Sequence, residues 1–173
     1  MAQNNISNFV RDNWVPTWNG QPLGYCDDTD PGLTALYDAI GAGTLGKIRM
    51  GDRFVGLEGD ITLMMREPTL SIIETMIPWG VDGNGEYLIS PPINTDMYTY
   101  AQLLNLQPSS RVAASDHTLD LNLVKAVPIH VPNAFKLTGK QDDVMPVKFR
   151  IYPLRTALPA IIYGYIGAYT ATP

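Results

Sequence analysis

HTLDLNLVKAVPIHVPNAFKLTGKQDDVMPVKFRIYP, from His117 to Pro153, alternates apolar and polar side chains along most of its length. Leu119, Leu121 and Leu123 alternate with Asp120 and Asn122. Val127, Ile129 and Val131 alternate with Pro128, His130 and Pro132, and Phe149 and Ile151 with Lys148 and Arg150. A period of two is that of half-buried strands. The stretch gathers no set of catalytic side chains, and it places prolines inside strand-like runs, where each removes a ladder donor.

Upstream, KIRMGDRFVGLEGDITLMMRE (Lys47 to Glu67) repeats the alternation. Val55, Leu57, Ile61, Leu63 and Met65 fall on one face, and Glu58, Asp60, Thr62 and Arg66 on the other. Pro68 stops this strand and Thr69 can cap a helix. Leu70, Ile73 and Ile77, with Ile72 and Met76, then supply a helical stripe from Leu70 to about Ile77. VDGNGEYLIS turns through Asp82 to Gly85 into a strand at Glu86. TDMYTYAQLLNLQP fits either a short helix or a strand ending at Pro108, and Ala160 to Ala168 reads as a last strand, apolar on both faces. DDTDPGLTALYDAIGAG reads as a short helix, with Asp30 as N-cap, Pro31 in the first turn, Leu33, Leu36, Tyr37 and Ile40 on the buried face, and Gly41 or Gly43 as the stop. Residues 1–24 are polar and irregular yet carry Trp14 and Trp18, which predicts an ordered N-terminal arm that seeks a partner surface, followed by one β domain over residues 25–173.

The totals agree with a single turn-rich β domain: 173 residues, 45% hydrophobic and only 17% charged, with Gly 15 and Pro 14. So few charges leave much surface for other subunits. A net charge of -5 argues against a protein that grips nucleic acid by its phosphates, although not against one that lets nucleic acid pass. MAQNNISNFVRDNW has no basic region before an apolar core, so no cleaved secretory signal is expected, and AIIYGYIGAY is too short to span a bilayer. With Cys26 as the one cysteine, neither an intrachain disulfide nor a cysteine-based zinc site is expected.

Enzyme chemistry finds little support. GAGTLG, Gly41 to Gly46, matches a dinucleotide fingerprint by letter, but here a helix is expected before it and a strand after it, the reverse of what that site needs. Asp27, Asp28 and Asp30, or Asp82, Asn84 and Glu86, fall short of the ligand pattern of a calcium loop. His117 and His130 stand without a nucleophile motif, and Cys26 lacks an electropositive setting. No enzyme, no cofactor and no metal are expected.

GLEGDITLMMREPTLSIIETM places a long strand directly before a helix, and LLNLQP, DLNLVKAVPIHVPNAFKLTG and VMPVKFRIYPLRTALPAIIYGYIG then succeed one another as strands. Together these resemble the major tail tube proteins of long-tailed bacteriophages, over roughly Gly46 to Gly167. The resemblance implies an antiparallel β-sandwich or barrel flanked by one main helix, assembled as hexameric rings. Such rings stack into a tube in the virion tail, built in the host cytoplasm, that conducts genomic DNA at ejection without binding it specifically. Its partners would be further copies of itself and other tail proteins: terminator, tape measure, baseplate or sheath. Glu58, Asp60, Thr62, Asp120 and Asn122 would face the lumen, and the segment bearing Trp14 and Trp18 would join successive rings. A terminator or connector ring is the alternative within that class. Outside it stands a ligand-binding β-sandwich that uses Trp14, Trp18 and Trp79 to stack on a carbohydrate or peptide.

Overall fold

The computed structural model describes residues 13–41, 49–66, 69–77, 81–83, 86–88, 93–129, 144–155 and 162–168. In chain order the strands are β1 (Trp14–Trp18), β2 (Gln21–Pro22), β3 (Cys26–Gly41), β4 (Arg49–Met65), β5 (Val81–Gly83), β6 (Glu86–Leu88), β7 (Gln102–Pro108), β8 (Leu121–Ile129), β9 (Met145–Tyr152) and β10 (Gly164–Ile166). Helices α1 (Leu70–Thr75) and α2 (Ser109–Val112) and a 3-10 turn at Met97–Tyr100 lie between them. The fold is mainly β, with antiparallel pairing throughout the described strands and α1 as its main helix.

The main sheet runs β10-β8-β7-β1-β3-β4-β9, with β2 on β1, and β9 also pairs with β8. The pairings therefore curl back on themselves into a barrel-like wall. The wall is not a closed ladder, because β1 and β3 share the single pair Trp14↔Cys26. Side chains from every strand of this circuit meet inside it, among them Trp18, Cys26, Leu63, Leu106, Ala126 and Phe149. Burial of this apolar surface is the main stabilising term.

Two prolines in the strands sit where, among the described residues, only one neighbour needs a ladder. Pro128 lies past the last β7 pair, Gln102↔Ala126, and Pro146 past the last β8 pair, Ile129↔Lys148. Each has a strand on one side only among the described residues, so the missing N–H leaves no orphaned acceptor in a two-sided ladder there. The opposite constraint appears at Gly164. A Cβ there would come within 2.3 Å of the Asn122 carbonyl oxygen, so glycine is what lets β10 approach β8.

Much of the expected order is present. Thr69 caps α1 by accepting a hydrogen bond from the Ile72 N–H at 3.3 Å, and Ile72 and Ile73 pack on the core while Met76 and Ile77 are buried. Val81–Gly83 and Glu86–Leu88 form the expected hairpin. TDMYTYAQLLNLQP holds both structures it suggested, the 3-10 turn capped by Asp96 and then β7. The last strand is shorter than expected: β10 covers Gly164–Ile166, preceded by the isolated bridge Leu154↔Ile162.

Two expectations are corrected. The segment expected as a helix from Asp30 is strand β3, paired with β4 from Thr29↔Leu63 to Gly41↔Arg49. A partner of matching length satisfies its backbone along that whole run, which outweighs the local helical pattern. The N-terminal boundary also moves. Trp14 and Trp18 are 8% and 3% exposed on β1, between β7 and β3, so residues 13–24 belong to the body and not to a separate arm. Residues 1–12 lie outside the described range.

Candidate functional site

β3 and β4 run far beyond the body. β9 accompanies β4 only from Met65 to Asp60, and β1 touches β3 only at Cys26, so from Leu33↔Gly59 to Gly41↔Arg49 the two strands form a ribbon with no third strand among the described residues. At strand rise its nine-residue β3 side, Leu33 to Gly41, extends about 30 Å. Bulges between Leu36 and Tyr37 and between Ile40 and Gly41 twist it. Leu36, Tyr37 and Val55 are exposed on it, at 38%, 58% and 44%. Val55, expected on the core face, thus sits past the end of the core, at the bulge where Leu36↔Gly56 gives way to Tyr37↔Phe54. A lone two-stranded ribbon is marginal in water, so apolar side chains along one are best explained by a partner.

At the ribbon's base lies the polar face of β4. Ile61, Leu63 and Met65 point into the core as expected, while Glu58, Asp60 and Thr62 point out. Two bases from β9 join them: Asp60 accepts from Lys148 Nζ at 2.7 Å and from Arg150 Nε at 3.0 Å. Register brings them there, since Asp60 lies opposite Arg150 and Thr62 opposite Lys148. Burial pushes the Asp60 carboxyl up, but the hydrogen bonds and charges of Arg150 and Lys148 outweigh it and hold the group below the ordinary carboxylate range; the contact pushes Arg150 up. Glu58 makes no hydrogen bond or ion pair of this kind among the described residues, and its charge adds only a last, small contribution to the rise at Arg150. A cavity of about 380 Å³ opens here, lined by Gly32, Thr34, Leu36, Glu58, Gly59, Asp60, Thr62 and Lys148.

The depressed Asp60 pKa has a defined sign. The ionised carboxylate stabilises the fold at pH above its unfolded value near 4, and that contribution is lost as pH falls through the folded value. Asp60→Asn should therefore lose less stability than the parent between about pH 5 and pH 2. Urea midpoints taken across that range check it, and parallel curves for the two proteins would sink the assignment.

The other polar pair lies elsewhere. Asp120 and Asn122, expected on an exposed face lining a channel, are 2% and 0% exposed. Asn105 Nδ2 donates to Asp120 Oδ2 at 3.1 Å and to Asn122 Oδ1 at 2.8 Å, Asn122 Nδ2 donates to the Gly167 carbonyl at 2.7 Å, and His117 Nδ1 lies 2.9 Å from Asp120 Oδ2. Neighbouring segments thus meet the polar side of β8 with polar groups, which offsets part of the cost of burial there, Asp120 Oδ1 being buried without a hydrogen-bond partner among the described residues. Asn105 and His117 were not visible as its partners, because strand alternation specifies a face but not what lies over it.

Cys26 is buried, and no group of His, Cys, Asp or Glu suited to a metal occurs among the described residues. His130, Trp79 and residues 42–46 of the glycine motif lie outside the described range. No helix among the described residues is long and apolar enough to cross a membrane. No protein-family model matches the chain, and no curated protein matches it.

Proposed function

We propose that this chain is a self-associating structural subunit of a viral tail, forming hexameric rings that stack into a tube through which genomic DNA passes. One observation carries the reading: a ribbon about 30 Å long, with no third strand on it among the described residues and bearing Leu36, Tyr37 and Val55 in the open, is built to be completed by another copy. The sequence resemblance supplies the class of assembly. The outer face of β4 and β9 is the wall offered to the channel. The acids Glu58 and Asp60 stand beside as many bases, Lys148 and Arg150, both of which bind Asp60, so DNA meets a surface without the excess of basic groups that would hold it. A stacking site for sugars or peptides built on Trp14 and Trp18 has nothing to recommend it, since both rings are in the core.

Excising the ribbon tests the proposal. With residues 34–58 replaced by a two-residue Asn-Gly turn, the body should keep its β circular dichroism and sediment as a monomer at concentrations where the full chain forms rings. Rings of unchanged size from the excised protein would overturn the role given to the ribbon. Negative-stain images of the full chain separate tubes from the single rings of a terminator.

A further inference from the structure

We infer that the cavity at the base of the ribbon receives the ribbon of a second copy, with Arg53 of one copy paired to Glu58 of the next. The inference rests on the self-association proposed above and names the contact that would drive it. Glu58 lies opposite Thr34 and Arg53 opposite Asp38, so both charges share the ribbon face that carries Thr34 and Leu36. Along this face the cavity end carries a carboxylate with no ion-pair partner among the described residues, and the outer end carries a guanidinium that is 71% exposed. Among the described residues Arg53 is held only by Asp38, at 3.6 Å and with both side chains in solvent. Such a pair contributes little, so exchanging it for another carboxylate costs little.

With the bulge counted, Arg53 and Glu58 lie four ladder positions apart, as Asp38 and Thr34 do opposite them, about 13 Å of strand. A second ribbon lying in the same direction, displaced by that distance, sets its Arg53 over the first copy's Glu58 and covers Leu36. Each copy then gives one basic group and receives one, a head-to-tail contact that closes into a ring where the rotation between successive copies closes and otherwise runs on as a filament.

Charge reversal tests the pairing on the full chain. Glu58→Lys and Arg53→Glu should each lower the assembled fraction in sedimentation velocity by at least about tenfold, the scale of a close interfacial charge pair. Both residues are exposed, so thermal melting should be unchanged. Mixing the two variants in equal amounts should restore assembly, because each then meets an opposite charge on its neighbour; the double variant should assemble alone. Single variants that assemble like the parent, or a mixture that stays dispersed, would overturn this contact while leaving self-association standing. A parent chain that is monomeric at every concentration would overturn both.

Discussion

Trp18→Ala will lower the stability of the fold by about 3–5 kcal/mol, the range for truncating a large aromatic in a packed core. Trp18 is 3% exposed, its ring lies 6.2 Å from that of Phe149, and its indole N–H donates to the Ala126 carbonyl at 2.9 Å. One side chain therefore links β1, β8 and β9 across the core. Removing it leaves a cavity and also strips a hydrogen bond from a buried carbonyl. Against a total of roughly 5–15 kcal/mol for a domain, that loss removes a large share. Removal of residues 1–24 takes away β1 and β2 together and should leave no cooperative unfolding transition. Urea unfolding measures the first and a thermal melt the second; a Trp18→Ala deficit under about 1 kcal/mol would place the ring at the surface.

Asn122→Asp is expected to cost about 3–5 kcal/mol at neutral pH, on the scale of a buried charge left without its partner. The change is nearly isosteric, so packing is not its cause. The amide that donates to the Gly167 carbonyl at 2.7 Å becomes an oxygen facing an oxygen, and a second carboxylate joins Asp120 around Asn105 Nδ2. Both effects raise the pKa of the introduced acid in the folded state. The deficit is therefore full only above the raised folded-state value, shrinks as pH falls from there toward the unfolded carboxyl value near 4, and is lost below it. Stability curves at pH 7 and pH 3.5 check the sign. A variant that matches the parent at pH 7 would show that Asn122 is solvated.

The alternation in Ile61, Leu63 and Met65, and again in Val147, Phe149 and Ile151, is enough by itself to specify strands and their buried faces, because side chains on a strand alternate whatever the strand pairs with. Thr69 and the apolar spacing after it likewise specify α1 locally, through a cap and a stripe that lie within one short segment. Residues 26–41 were not legible in this way. Asp30-Pro31 and the spacing of Leu33, Leu36, Tyr37 and Ile40 satisfy the signals for a helix start and face, and only β4, at matching length, makes the extended form the stable one. The same holds for Trp14 and Trp18, whose irregular surroundings give no period, and whose burial depends on β7 lying alongside. Asp120 and Asn122 have the alternation of an exposed face, yet they are buried because Asn105, His117 and the Gly167 carbonyl arrive from elsewhere in the chain. The wall around Asp60 obeys the same rule: its carboxylate is written in β4, but the two bases that balance it come from β9, 88 and 90 residues along the chain, and register alone brings them together. Local periodicity determines which way side chains alternate, and long-range pairing determines what each face meets.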